Sequence, residues 1–95
     1  MKRLYVLISQ DLDPVYGCVQ GGHAVAQYLL DHKETQTWNN SYLVYVYADV
    51  HKWMRRLNEE KKKYSVFFEP DLGNIPTALA VEDSGVMFRK LRIVK

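Results

Sequence analysis

The sequence predicts a single-domain α/β protein with about four strands in a mixed, mostly parallel sheet and helices packed on it. A length of 95 residues fits one hydrophobic core, so we expect one domain over residues 1–95. Strand-like and helix-like segments follow one another in the order β-α-β-α-β-β, with a small C-terminal element. This alternation is typical of parallel strands joined by helices. The last two strands are joined by a short loop, so we expect them to pair antiparallel.

Short runs of apolar, aromatic and β-branched residues predict the strands. The first run, Leu4–Ile8, is continuously apolar and predicts a buried central strand. The other strands are predicted at Tyr42–Ala48, Tyr64–Glu69 and Thr77–Val81. A short helix or turn near Ser84–Lys90 and an extended Arg92–Val94 complete the chain.

The first helix is predicted from about Tyr16 to His32, after a polar loop that contains Pro14. Its apolar side is predicted to comprise Cys18, Val25, Leu29 and His32, with Val19, Ala26 and Leu30 beside them. Gly21 and Gly22 each cost about 1 kcal/mol of helix propensity. Such a pair indicates close approach of the backbone to a strand or to a ligand.

The second helix is predicted to begin after Asp49, a good N-cap residue, and to end near Lys62. Its apolar residues recur at helical spacing, at Val50, Trp53, Met54 and Leu57. A polar connector over Lys33–Asn40 and a turn-rich loop over Pro70–Pro76 link the remaining elements.

The net charge of +2 is unevenly distributed along the chain. Residues 1–48 carry 3 basic and 4 acidic side chains, whereas residues 49–95 carry 10 and 7. This basic bias is compatible with an RNA partner, although many proteins that bind no nucleic acid share it.

Several classes of protein are disfavoured by the sequence. A lone cysteine, Cys18, allows neither an intramolecular disulfide nor a Cys-rich zinc site, and its apolar context indicates a core residue. No apolar run approaches the roughly 20 residues that cross a bilayer, and no secretory signal follows Met1. Phosphate-loop, dinucleotide and metalloprotease motifs are also missing. We therefore expect a cytoplasmic protein with no membrane association, metal or cofactor.

Asp11 and His23 form the first candidate constellation. Asp11 follows the first strand, and ligands of open α/β sheets bind beyond the carboxyl ends of strands. His23 lies about two turns into the following helix, and a carboxylate beside an imidazole makes it a better general base. The alternative is that His23 packs its ring against the sheet and bonds a backbone group.

Glu69 and Asp71, with Asn74 close behind, form the second constellation after the third strand. If that strand runs parallel to the first, both acidic residues face Asp11 and His23 at one edge of the sheet. The alternative, which the sequence alone favours, is an ordinary turn of Pro, Asp, Gly and Asn residues.

Basic residues cluster in two places. Lys61, Lys62 and Lys63 follow the second helix, where they complement its dipole and remain solvated, or bind phosphate. Lys52, Arg55 and Arg56 precede them, and Arg89, Lys90 and Arg92 form a second cluster with the same two interpretations.

These motifs together resemble the type-two peptidyl-tRNA hydrolase family over nearly the whole chain. Gln20–Ala24, following the strand that ends in Asp11-Leu12, looks like that family's Gln-Cys-Ser/Gly-His-Ala helix segment. Glu69–Asn74 followed by Thr77–Val81 looks like its acidic loop and Thr-Val-Leu-Ala-Ile strand. The resemblance implies a four-stranded mixed sheet between helices, a three-layer sandwich.

The resemblance also implies hydrolysis of the ester that joins a peptide to tRNA, as part of translation. Water would attack the ester carbonyl, activated by His23 and Asp11, with Asp71 or Glu69 as orienting groups. Hydrogen bonds to the substrate would come from Gln20, Asn74 and Thr77, and contacts to tRNA phosphates from Lys61, Lys62 and Lys63.

Two departures from the family pattern leave alternatives open. The stretch Asp13–Val19 lacks the lysine that the family has before its Gln-x-x-His, and the acidic loop lacks an arginine. Both changes remove groups that would face an oxyanion or a phosphate. The alternatives are a catalytically inactive member that binds RNA or protein, and a structural domain that forms a homodimer through exposed aromatic residues.

Overall fold

A computed structural model describes residues 3–94 of the chain. The strands are β1 (Arg3–Ser9), β2 (Leu43–Ala48), β3 (Tyr64–Glu69) and β4 (Ile75–Asp83). The helices are α1 (Pro14–Asp31) and α2 (Val50–Glu59). Short 3-10 turns occupy Pro70–Leu72 and Val86–Phe88.

The four strands form one mixed sheet in the order β2-β1-β4-β3. β1 pairs parallel with β2 and antiparallel with β4, which in turn pairs antiparallel with β3. Three strands therefore run in the same direction, although only one hydrogen-bonded pair among the described residues is parallel. The predicted α/β class, the mixed sheet and the antiparallel pairing of the last two strands are confirmed.

The sheet lies between the two helices, as a three-layer sandwich requires. Successive side chains of β1 point to opposite faces, because a strand has a period of two residues. Leu4, Val6 and Ile8 pack on the α1 side, whereas Tyr5 and Leu7 pack on the α2 side. Both faces of β1 are thus buried, which explains its continuous apolar sequence.

The segment after the last 3-10 turn returns to the edge of β2. The Tyr47 N–H donates to the Arg92 carbonyl oxygen at 2.9 Å, and the Val94 N–H donates to the Tyr45 carbonyl oxygen at 2.9 Å. Ile93 consequently bridges Val46 in antiparallel orientation. The predicted extended segment at Arg92–Val94 is confirmed.

Helix α1 begins two residues earlier than expected, at Pro14. Asp13 is its N-cap, and the Asp13 carboxylate accepts from the N–H groups of Val15 and Tyr16 at 3.2 and 3.3 Å. Proline fits the first helical position, because an N–H group there would have no acceptor within the helix, so its absence costs nothing.

The predicted apolar side of α1 is wrong in part. The helix buries Gly17, Gln20, Gly21, Ala24 and Tyr28 against the sheet. The large apolar residues turn outward instead: Val15, Val19 and Leu30 are 75%, 54% and 70% exposed. Small residues occupy the contact face because the helix backbone lies close to the strands.

Gly21 shows how close this approach is. A Cβ atom at Gly21 would collide with the Tyr45 ring and would lie 3.0 Å from Val6 Cγ1 and 3.1 Å from Ile8 Cγ2. The neighbouring Gly22 faces open space. Of the two interpretations of the glycine pair, close approach to a strand is therefore the correct one for Gly21.

Helix α2 ends at Glu59, three residues before the predicted end. Lys61 takes a left-handed conformation with φ 55°, and the Lys62 N–H donates to the Leu57 carbonyl oxygen at 2.9 Å. This arrangement is a common way to satisfy the last carbonyl groups of a helix. The N-cap assignment of Asp49 is confirmed, since its carboxylate accepts from the Lys52 N–H at 3.1 Å.

The end of α1 is attached to β3 through Asp31. The Ser65 hydroxyl donates to Asp31 Oδ2 at 2.7 Å, and Gln27 Nε2 donates to Oδ1 at 2.7 Å. These two hydrogen bonds hold the pKa of Asp31 below its usual value, and the bond from Ser65 has the larger effect. The ionised carboxylate is therefore favoured in the folded state.

Replacing the buried Ser65 with alanine is expected to lower the free energy of unfolding by about 1 kcal/mol near pH 7. Because the folded-state pKa of Asp31 is depressed, its contribution is complete above about pH 4 and is lost as the pH falls through the folded-state value. Urea unfolding of Ser65→Ala and wild type near pH 7 and near pH 3 measures this, and the difference should shrink in acid. The exposed Ser84→Ala serves as a control, and an equal loss in Ser84→Ala would contradict the assignment.

Candidate functional site

The candidate site lies at the sheet edge where β1, β2 and β3 end. Since β1 and β3 both run antiparallel to β4, they run in the same direction. The loops that hold Asp11, Glu69 and Asp71 therefore lie at the same edge, where α1 also begins. The second constellation required the third strand to run in the same direction as the first, and it does.

Three polar side chains of α1 face β3 and β4. Tyr16, Gln20 and His23 are spaced by four and three residues, which places them on one stripe of the helix. Each contacts a different residue of the sheet: Glu69, Thr77 and Phe67, respectively. We call this row of three residues the α1 stripe.

At the N-terminal end of the α1 stripe, the Tyr16 hydroxyl donates to Glu69 Oε1 at 3.2 Å. Partial burial, the hydrogen bond to Glu69 and the negative charges of Glu69 and Asp71 raise the pKa of Tyr16 above its ordinary value. Tyr16 therefore stays neutral and acts as a donor, which holds the Glu69 carboxylate against the start of the helix.

In the middle of the stripe, Gln20 meets Thr77, and both side chains are buried. The Thr77 hydroxyl donates to Gln20 Oε1 at 2.7 Å. Phe67 pairs with Ala78 and Phe68 with Pro76, so Thr77 is the extra residue of a β-bulge. Bulges re-aim side chains and often occur next to active sites. Here the bulge directs the Thr77 hydroxyl to α1.

The Gln20 amide nitrogen forms no hydrogen bond with any group in residues 3–94, while its oxygen is occupied by Thr77. Its two N–H groups thus have no acceptor among residues 3–94, and the Gln20 side chain is only 1% exposed.

His23 is exposed and stacks on the Phe67 ring, with centroids 4.4 Å apart and an angle of 11° between the planes. Stacking fixes the plane of the imidazole. Neither ring nitrogen bonds a group in residues 3–94, so no carboxylate of that range orients it. The alternative was that His23 packs against the sheet and bonds a backbone group. The packing is observed, on Phe67 of β3, but within residues 3–94 the hydrogen bond to a backbone group is not.

The structure does not join Asp11 to His23. His23 lies nine residues after Pro14, which places it about 13 Å along the helix axis from that residue. Asp11 precedes the helix and is exposed, and its main-chain N–H donates to Ser9 Oγ at 3.3 Å. Within residues 3–94, no hydrogen bond joins the Asp11 side chain to the α1 stripe.

Asp71 and Asn74 form the turn after β3, as the alternative interpretation of that loop as an ordinary turn predicted. Both are exposed, and Asn74 has a positive φ of 61° while its N–H donates to the Glu69 carbonyl oxygen at 2.8 Å. Their side chains are free to meet a ligand above the edge that also holds Glu69.

Lys61, Lys62 and Lys63 lie at the opposite edge of the sheet, because α2 runs from the end of β2 to the start of β3. Lys62 forms an ion pair with Asp83, and Lys63 Nζ donates to the Thr35 carbonyl and hydroxyl oxygens at 3.1 Å. They therefore do not replace the missing basic group near His23.

Two members of the site escaped the sequence analysis. The sequence predicts Tyr16 only as a helix start and Phe67 only as a strand residue. The spacing of Tyr16 from Gln20 and His23 was the available signal, since it matches one face of a helix. Nothing local marks Phe67 as the partner of His23.

Residues 3–94 contain neither a metal cluster nor a membrane-spanning helix. No group of three or more His, Cys, Asp or Glu side chains is arranged to hold a metal ion in this range. Nor does that part of the chain contain a helix long and apolar enough to cross a membrane.

Comparison of the chain with models of known protein families, with curated proteins and with solved structures finds no match. The resemblance to type-two peptidyl-tRNA hydrolases therefore stays a prediction from the motifs.

The chemistry of the site follows from three groups. His23 offers an imidazole that can take up a proton, Gln20 offers amide N–H groups, and Glu69 offers a carboxylate held by Tyr16. A general base beside a hydrogen-bond donor is the minimum that water-dependent cleavage of an ester needs.

Proposed function

We propose that this domain hydrolyses the ester bond that links a peptide to tRNA, at the α1 stripe and the adjoining ends of β3 and β4. The observation that carries the proposal is the alignment, on one face of α1, of the exposed His23 imidazole with the buried Gln20 side chain, whose amide nitrogen has no partner within residues 3–94. The motif resemblance supplies the substrate, and cytoplasmic translation is the proposed setting.

In the proposed reaction, His23 removes a proton from a water molecule while the water oxygen attacks the ester carbonyl carbon. The Gln20 amide donates to the carbonyl oxygen as negative charge develops on it. When the intermediate collapses, the bond to the ribose oxygen breaks and the proton passes from His23 to that oxygen. The products are a peptide with a free carboxyl group and a tRNA with a free hydroxyl.

The remaining predicted residues have supporting roles in this proposal. Glu69, Asp71 and Asp11 make the rim of the site acidic, which suits the orientation of water and of a peptide amine. Asn74 donates to the peptide from the turn after β3. Lys61 and Lys63, at the far edge, contact phosphates of the tRNA body, since a macromolecular substrate spans both edges.

Release of peptide from N-blocked aminoacyl-tRNA under single-turnover conditions tests this proposal. We expect His23→Ala to reduce the rate at least about 100-fold, the usual contribution of a general base. His51→Ala is a matched control, because His51 is an exposed histidine on α2, away from the α1 stripe. Thermal unfolding of both variants reports whether the fold is retained.

Full activity of a folded His23→Ala variant would remove His23 from the mechanism. No turnover by the wild-type protein, with a control enzyme active on the same substrate, would favour the second candidate function. That candidate is a non-catalytic RNA- or protein-binding module, and it is supported by the lack of a carboxylate on His23 within residues 3–94. It predicts tRNA binding that weakens strongly with salt, without release of peptide.

A homodimer remains a further proposal for the partners of this domain. The outward-facing Val15, Val19 and Leu30 of α1 provide an apolar surface for it. Sedimentation of the purified protein over a range of concentrations would decide between monomer and dimer.

A further inference from the structure

A second candidate site lies on the face of the molecule opposite the α1 stripe. A groove of about 530 Å³ runs between α2 and the segment after β4. Four basic side chains line it: Lys52 and Arg56 from α2, and Arg89 and Lys90 from the later segment. We call it the basic groove. It brings together two clusters that are far apart in the sequence.

The charges in the basic groove have no acidic partners within residues 3–94. Within residues 3–94, none of the four basic side chains forms an ion pair or a side-chain hydrogen bond. The described lining also contains no acidic residue. Concentrating like charges in a concave surface without counter-charges attracts a negatively charged partner.

The floor of the basic groove is apolar. It is formed by Trp53, Met87 and Leu91, with Val86 at the side, and Val86 is 66% exposed. Aromatic residues, methionine and arginine are the residue types enriched in protein–protein interfaces. A partner that covers this floor must itself bring apolar side chains.

Trp53 is held in place as part of the floor and offers little free ring surface. It is only 6% exposed, its ring centroid lies 5.1 Å from that of Phe88, and the Arg56 guanidinium lies 5.3 Å above it. A nucleic acid gains affinity from bases that stack on an exposed aromatic face. No such face is available in the described part of the groove.

We propose that the basic groove binds an acidic segment of a partner protein that also carries large apolar side chains. The acidic side chains pair with Lys52, Arg56, Arg89 and Lys90, while the apolar side chains cover Val86 and Met87. This is the charge and shape complement of an apolar floor with a cationic rim. The inference does not rest on the proposed hydrolase, because the groove and the α1 stripe lie on opposite faces of the sheet.

Fluorescence anisotropy with the full chain tests the proposal, using a labelled peptide that alternates pairs of Glu and Leu. We expect Arg89→Glu and Lys52→Glu each to weaken binding by about fivefold, and both together by more than tenfold. Arg55→Glu is the matched control, because Arg55 is an exposed neighbour on α2 outside the groove lining and should stay within about twofold of wild type.

Two further probes separate an acidic peptide from other anions. A peptide with Ser in place of Leu should bind about tenfold more weakly, since it cannot cover the apolar floor. An oligouridylate of similar charge should bind more weakly than the Glu-Leu peptide. Val86→Ser should weaken binding of the Glu-Leu peptide but not of the Glu-Ser peptide or the oligouridylate, because that substitution leaves all four charges in place.

Three results would overturn the proposal. The first is no binding of the Glu-Leu peptide. The second is an equal loss on Arg55→Glu, which would indicate attraction to the whole surface. The third is tighter binding of the RNA, lost on Arg89→Glu, which would make the groove a nucleic-acid site. The rate of peptide release from tRNA, measured on the same variants, keeps this outcome distinct from failure of the proposed hydrolase.

Discussion

Gly21→Val is expected to lower the free energy of unfolding by about 3 kcal/mol, at the upper end of the cost of overpacking a core. The added carbon atoms have nowhere to go, because a Cβ at this position already collides with the Tyr45 ring and crowds Val6 and Ile8. Helix α1 would have to move away from the sheet. Urea unfolding followed by circular dichroism measures the loss.

Gly22→Ala is the matched control for this substitution. Its Cβ meets no atom within 4 Å, and alanine is favoured over glycine in a helix by up to about 1 kcal/mol. We therefore expect Gly22→Ala to raise stability. If Gly21→Val were as stable as the wild type, that result would contradict the close contact of α1 with β1 and β2.

Glu82→Ala is expected to lower the free energy of unfolding by about 3 kcal/mol, because it removes a buried carboxylate from its donors. The Tyr28 hydroxyl donates to Glu82 Oε1 at 2.8 Å, and the Thr37 hydroxyl donates to Oε2 at 2.6 Å. The Thr37 N–H donates to the same carboxylate at 3.0 Å. Without Glu82 the fully buried Tyr28 hydroxyl loses its acceptor, and the link from Thr37 to the sheet is lost.

The pKa of Tyr28 supports this interpretation. Burial, followed by the hydrogen bond to Glu82, raises the pKa of Tyr28 far above its ordinary value, so the hydroxyl keeps its proton. The melting temperature of Glu82→Ala should fall by more than about 10 °C. The exposed Glu59→Ala should change stability by less than about 0.5 kcal/mol. A melting temperature within 2 or 3 °C of wild type would show that the network contributes little, by the same relation.

The fold was predictable because its signals are local. Each strand is a short run of β-forming residues, and the Asp49 cap with the spacing of Val50, Trp53 and Leu57 marks α2 directly. The buried face of α1 was not predictable in the same way. Hydrophobicity points to Val19 and Leu30, whereas the geometry of close packing selects glycine and alanine.

The candidate site was predictable only as far as topology determines it. The direction of β1 and β3 brings Asp11, Glu69 and Asp71 to one edge, and that follows from the element order. The separation of Asp11 from His23 depends on where α1 begins, and its start at Pro14 adds half a turn. Long-range contacts such as Tyr28 to Glu82, 54 residues apart, leave no local trace in the sequence.

The order of the strands also bears on how the chain folds. The two central strands, β1 and β4, are far apart in the sequence, with Arg3 paired to Asp83. A nascent chain can form α1 and the parallel pair of β1 with β2 early, but the other side of β1 stays open until β4 has been synthesised. Closure of such distant contacts is slow, because the entropy of a long loop is lost before the contacts form. During that interval β1 exposes an apolar, unpaired edge, which is the form of the chain most prone to aggregate.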